Sequence, residues 1–353
     1  MRKLLSTLDY VTGAHTRRWR SPAFRGCGLV LLYHRIAPPG GRGDAPGYGV
    51  ERGLPVDAFE AQMRFLLEHF RPARLRDLVP HAEPHEGVCF GVSFDDGYRD
   101  NLTLAAPVLE RLGIPALIFL TTDFVGTQRL FWWERLGGLL RATRASRLEL
   151  GAVAPELGAR WALPREFGLD DERARGEAHR LISMALMRTP PSEIDGILAR
   201  LASALGVRLR DEGREAPLLD WNDVRRWRAA GMDVGAHGAS HANLGLVSDA
   251  EADREVRESL AAVARETDSP AEVFAYPYGG PEHRTAGALR AVEAHGCRAA
   301  FTTDLGVVGP QADRFALPRA GLSSASRLRN AYHVAQAFAS PISREAAAAG
   351  PAR

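Results

Sequence analysis

The chain of 353 residues has almost no lysine, few cysteines and no long apolar run. Lys3 is its only lysine, so the basic side of a nearly balanced charge, 45 basic against 43 acidic residues, is arginine. Those arginines stand beside acids throughout, not in blocks. That excludes the basic stripe of a nucleic-acid surface, and no nucleic-acid partner is expected. The cysteines Cys27, Cys89 and Cys297 are far apart, odd in number and form no CxxC, so neither a disulfide framework nor a zinc ribbon is indicated. No segment approaches the roughly 18 uninterrupted apolar residues of a membrane span. Near the start, Asp9 interrupts a short apolar stretch and no small-residue cleavage site follows, so a cytoplasmic protein is expected. Leu4, Leu5, Leu8 and Val11 share one helical face and Arg17, Arg18, Arg20 and Arg25 follow. Weak peripheral contact with an anionic membrane is compatible with this pattern, but a helix packed on the body of the protein is the simpler expectation.

What is present is a rhythm of strands and helices. Near-continuous apolar runs occupy Leu29 to His34, Val88 to Val92 and Ile114 to Leu120, and shorter ones occupy Met232 to Ala236, Val273 to Tyr276, Arg298 to Thr302 and Ala316 to Ala320. Unalternated strands interleaved with helices predict a parallel sheet covered on its outside. Helices are predicted from Asp57, read as an N-cap, from Asn101 to Leu112, and after the Ser248-Asp249-Ala250-Glu251 capping box. Between Gly126 and Leu219 the pattern turns helical and charged, as an insertion would. Removing about 90 inserted residues and the ends leaves about 220, near the lower end for a strand-helix barrel. The expected organisation is an N-terminal helical and basic segment over 1–26 and a distorted, seven-stranded (β/α) barrel over 27–340. A helical insertion at 126–219 interrupts the barrel, and a disordered tail follows over 341–353.

The chemistry concentrates at strand ends, where such barrels gather their sites. Asp95 and Asp96 follow one strand directly, and two neighbouring carboxylates are costly unless a cation lies between them. His237-Gly238-Ala239-Ser240-His241 follows another strand and spaces two imidazoles to bite a single ion. One carboxylate with two imidazoles leaves coordination positions open, the arrangement of a hydrolytic metal and not a structural one.

These stretches, with Leu32-Tyr33-His34-Arg35, Ser93-Phe94-Asp95-Asp96-Gly97-Tyr98 and Phe274-Ala275-Tyr276-Pro277-Tyr278-Gly279, resemble the NodB-homology polysaccharide deacetylases of carbohydrate esterase family four, in the branch with a Tyr-His first strand. The resemblance covers residues 29 to 322, with the insertion outside it. It implies Asp95 as general base, Asp96, His237 and His241 as metal ligands, and the backbone N–H of Tyr278 as an oxyanion donor. The family's arginine before the third-motif proline is missing, since Ala275 stands there, and Arg319 is the candidate replacement. The family's late Leu-x-His is also missing, since His333 lies in a polar helical context. Leu32-Tyr33-His34 has the same spelling, which makes His34 the candidate general acid. One divalent ion is implied: zinc suits the donors, as cobalt, nickel, manganese or iron would.

The expected activity is hydrolysis of the acetamide of an N-acetylated carbohydrate, with an oligosaccharide, lipid-linked sugar or glycoside precursor as partner. A deformylase or other amidohydrolase, and a silent carbohydrate-binding barrel, are the alternatives. Trp132 and Trp133 read as core before they read as a sugar platform. His15, His69, His81, His85, His179, His283 and His295 have no partner spacing and are expected to be exposed.

Overall fold

Seven parallel strands make the frame: β1 (Gly28–Tyr33), β2 (Cys89–Phe94), β3 (Ala116–Leu120), β4 (Asp233–Ala236), β5 (Val273–Ala275), β6 (Ala299–Phe301) and β7 (Ala320–Gly321). The structure is a computed structural model and describes residues 13–40, 53–80, 87–213, 217–322 and 325–348. The strands follow one another across the sheet as β6, β5, β4, β3, β2, β1, β7. The short strand Arg71–Pro72 joins the start of β2. Just before β7, Leu317 bonds back to β6: Thr302 N donates to Leu317 O and Leu317 N to Ala300 O, both at 2.9 Å. β7 itself pairs with β1. The sheet therefore curls upon itself, as the expected distorted seven-stranded barrel requires.

Strand residues alternate between two apolar layers. Val30, Cys89, Leu117, Phe119, Val273 and Leu317 belong to the inner one. Leu31, Phe90, Val92, Ile118, Phe274 and Ala300 belong to the outer one, beneath the helices. Continued one step past the ends of β1, β2 and β4, the same parity points His34, Asp95 and His237 inward, and Arg319, two residues beyond Leu317 and just before β7, points the same way. This alternation is how the sheet gathers side chains from distant parts of the chain.

The main helices are α1 (Val56–Leu67), α2 (Ala106–Leu112), α3 (Trp132–Ala142), α4 (Glu172–Leu186), α5 (Pro191–Ala204), α6 (Trp221–Ala229), α7 (Asp249–Thr267), α8 (Ala286–Ala294) and α9 (Arg327–Ala339), beside short ones at Ala14–Trp19, Leu150–Val153, Pro155–Trp161 and Pro341–Ala348. Helices α3 to α5 lie in the inserted stretch and have their own apolar cluster, which includes Leu136, Leu140, Ile182, Leu198 and Leu201. Gly126 N donates to Leu219 O at 2.9 Å, so the chain leaves and rejoins the barrel at one narrow neck.

Three local expectations are corrected. Helix α1 starts at Val56 with Pro55 as its N-cap, so Asp57 lies in the first turn, where its charge favours the helix dipole. The segment expected as a helix from Asn101 opens with a π turn, Asn101–Ala105. Pro107, just beyond it, lacks the N–H that an α-helical bond would need. The expected tail is helical over Pro341–Ala348, where the buried Ser343 ties it down, and its remainder, 349–353, lies outside the described residues. Ser343 Oγ donates to Ala337 O at 2.7 Å and accepts from Val307 N at 2.9 Å. The stretch from Leu4 to Val11 lies outside the described residues, but Trp19 is buried against Phe70 and Phe338. Among the described residues no helix is long and apolar enough to cross a membrane.

Candidate active site

The end of β2 carries the first half of the site. Asp95 is buried, and Arg319 grips it with both arms of its guanidinium: Nη1 to Oδ1 at 2.7 Å and Nη2 to Oδ2 at 2.8 Å. Arg319 also donates from Nη1 to Ser93 Oγ at 3.2 Å and from Nε to Thr302 O at 2.8 Å, which fixes its fork from three sides. Burial pushes the Asp95 carboxyl up, but the charge and hydrogen bonds of Arg319 together with the nearby His237 and His34 outweigh it, so the group ionises below the usual carboxylate range.

Asp96 turns away from the strand with a left-handed φ of 74°. Its Oδ1 lies 3.3 Å from His241 Nε2 and 3.5 Å from His237 Nε2. That oxygen is buried and has no aligned donor among the described residues. Burial raises the Asp96 carboxyl, whereas contact with His241 brings it down to about 2. His237 Nδ1 lies 2.7 Å from Ala275 O, so Nδ1 carries the hydrogen and Nε2 keeps its lone pair for the site. Burial pushes His237 down to about 4, which keeps it neutral. One donor atom each from Asp96, His237 and His241 lies within 4.8 Å of the others, all three residues being buried. A buried carboxylate oxygen with no aligned donor among the described residues, facing the Nε2 atoms of two imidazoles, is a donor set suited to a divalent ion.

The loops are built for this placement. Five non-glycine residues among those described have left-handed φ; two, Ala162 and Asp268, are helix C-caps. The other three are Asp96, His241 at 64° and Tyr278 at 63°. Each such residue stores about 1–3 kcal/mol, held by its surroundings. Gly279 follows Tyr278 with φ of 68°, and a Cβ there would lie 2.6 Å from Thr303 Cγ2, so the turn demands glycine. Thr303 Oγ1 and Gly280 N both donate to Tyr278 O, at 3.0 Å each, while the Tyr278 N–H has no hydrogen-bond partner among the described residues. His34 is half-buried, and its backbone carbonyl accepts from Asn101 Nδ2 at 2.7 Å. The π turn thus presents the side chain that anchors the end of β1.

A cavity of about 610 Å³ brings His34, Asp95, Asp96, His237, His241 and Tyr278 together, and α4 forms its opposite wall through Gly176, His179, Ser183 and Met184. Arg319 sits behind Asp95 and not on that cavity. A second space of about 570 Å³ shares Trp132, Trp133, Met187, His241 and Tyr278 with the first. Trp132 Nε1 donates to Tyr278 Oη at 2.9 Å, joining insertion to barrel.

Three participants escape the motif reading. Trp133 is core, as expected of it, yet also lines the cavity and packs on His241. His179, expected to be exposed, is buried, with Nε2 3.1 Å from Trp133 O; His283 is buried as well. Glu255 is fully buried in α7 and holds the histidine loop by accepting from Ser240 N at 2.8 Å and Ser240 Oγ at 2.7 Å. Only the i, i+4, i+7 recurrence of Gly176, Arg180 and Ser183 on α4 could have signalled a wall facing the site.

The sequence profile of the polysaccharide deacetylase family matches residues 82–300. The Bacillus subtilis (strain 168) protein named polysaccharide deacetylase YxkH is 26% identical over 137 residues, which is 36% of this chain and 46% of that one. The match thus spans less than half the length of that relative. The Streptococcus pyogenes deacetylase PplD in complex with acetate superposes with a TM-score of 0.53 at 14% identity, covering 89% of this chain and 98% of that one. IcaB from Ammonifex degensii gives 0.53 at 16%, covering 88% and 98%. At such identities these two structures establish a shared fold.

Proposed function

This chain belongs to the polysaccharide deacetylase family, and we propose that it is a metal-dependent N-deacetylase that hydrolyses the acetamide of an N-acetylated carbohydrate to acetate and a free amine. The observation that carries this reading is the partnerless Oδ1 of Asp96 between two imidazoles, one residue from a carboxylate clamped by a buried arginine. A divalent ion, zinc by its preference for such donors, would be held by Asp96, His237 and His241 and would supply Lewis acidity toward the acyl oxygen and the attacking water.

The chain's own residues do the rest. Asp95 takes a proton from the water as its oxygen bonds the acyl carbon. The Tyr278 N–H donates to the oxyanion that forms, a contribution of about 3 kcal/mol for one such donor. His34 gives a proton to the amide nitrogen as the C–N bond breaks, and the amine departs. Arg319 keeps both oxygens of Asp95 in place without touching substrate. A cavity of about 610 Å³ is of the size that encloses small ligands, which suits a short or terminal glycan unit.

Acetate and formate release, measured in parallel on matched N-acetyl and N-formyl hexosamine oligomers, tests the reading: acetate alone is expected. Formate release that exceeds acetate would replace the deacetylase with a deformylase. The acid role has its own test. His34→Gln is expected to lower kcat on the order of 10²-fold while KM changes little, since general acids contribute about 10²- to 10⁴-fold. Unchanged kcat would remove His34 from the mechanism.

A further inference from the structure

His241 differs from His237 in how its ring is held. His237 has a carbonyl on its Nδ1, whereas the buried Nδ1 of His241 has no hydrogen-bond partner among the described residues. A metal-ligating imidazole ordinarily relies on that second nitrogen for its orientation. Aromatic walls surround His241 instead. The Trp133 ring stands 4.9 Å away at 66°, Phe131 5.5 Å at 62°, and Tyr278 4.8 Å at 81°. Edge-to-face contacts at these distances are attractive and confine the plane of a ring.

Trp133 is itself held firmly. It stacks on Phe131 at 4.4 Å and 11°, and Phe131 stacks on Phe124 at 4.3 Å. Its Nε1 donates to Tyr98 Oη at 3.3 Å, two residues beyond Asp96, and its carbonyl accepts from His179 Nε2 at 3.1 Å. One side chain of the insertion therefore touches both loops that present the candidate ligands.

We propose that Trp133 is a positioning residue of the metal centre, fixing the His241 ring by aromatic packing where a hydrogen bond is missing, so that the insertion helps to build the site as well as to wall it. This rests on the metal reading above.

The test is zinc affinity of the metal-free full-length protein, read by competition with a fluorescent chelator and independent of turnover. Trp133→Leu is expected to weaken zinc about 10-fold, within the 10- to 100-fold range seen when the surroundings of a ligand are altered. Trp133→Phe, which keeps an aromatic ring beside His241 and loses the bond to Tyr98, should bind within about fivefold of wild type, the effect of one neutral hydrogen bond. Leu140→Ala opens the insertion's apolar cluster away from His241 and should leave zinc affinity unchanged. Wild-type affinity in Trp133→Leu, or equal losses in Trp133→Leu and Leu140→Ala, would overturn the proposal. Failure of the wild-type protein to bind zinc would instead bring down the metal reading, and this inference with it.

Discussion

Removal of metal by a chelator is expected to abolish amide hydrolysis, by about 10³-fold or more, and added zinc to restore it. Lewis-acid stabilisation of developing charge is worth several kcal/mol, and each ~1.4 kcal/mol is tenfold in rate. The prediction has a second face that needs no substrate. Asp96 Oδ1 is buried with no donor aligned on it among the described residues, an unsatisfied anionic oxygen that a cation would relieve. A ligand that binds only the folded state stabilises it by about 2.7 kcal/mol at a hundredfold excess over Kd. Zinc should therefore raise Tm, and Asp96→Asn should erase the rise. Activity that survives chelation, together with a melting curve indifferent to zinc, would end the metal-dependent interpretation.

The second large effect is expected at the Asp95–Arg319 pair. Side-chain exposure is 0% for Arg319 and 3% for Asp95, and the contact is bidentate. Removing one partner of such a pair strands the other and costs about 3–5 kcal/mol. Arg319→Ala should accordingly destabilise the fold by that amount and reduce turnover on the order of 10²-fold, because the freed carboxylate loses its aim. Arg319→Lys should not rescue it, since an ammonium cannot reproduce the two-pronged contact. Asp95→Asn should lower kcat by roughly 10²- to 10⁴-fold with zinc affinity nearly unchanged, because base catalysis is lost while the ligands remain. Chemical denaturation and kinetics on both single variants and the double variant would expose the coupling, expected at about 0.5–3 kcal/mol for groups in direct contact. An Arg319→Ala protein that folds and turns over like wild type would show the arginine to be structural only.

Much of this site is legible in the chain because β-strand parity is simple. Asp95 lies an even number of residues beyond Cys89, and Arg319 two beyond Leu317; knowing that Cys89 and Leu317 face inward is enough to aim both. The meeting of Arg319 with Asp95 follows from the same geometry. Other features had no local signal. The left-handed backbone of Asp96, His241 and Tyr278 is imposed by tertiary contacts, for none of these residue types requires it. Glu255 reads as an ordinary polar position in α7, and its role appears only when the helix lies beside the histidine loop. His179 and His283 lacked sequence neighbours with which to pair, but their burial depends on packing against distant parts of the chain, Trp133 for the first and Asn243 and Tyr278 for the second. Trp133 reads as core in one dimension, which it is, and the sequence does not say that the core continues to His241.

The neck between Gly126 and Leu219 makes the inserted helices resemble a cartridge, attached where both leads emerge side by side. Such a unit could be transplanted between related barrels without disturbing strand order, and substrate choice would be expected to travel with it. Phe131 and Trp133 qualify that freedom. A graft that alters this doorstep would loosen the grip on His241, so swapped chimeras should tolerate replacement of α4 and α5 far better than replacement of the first turn of α3.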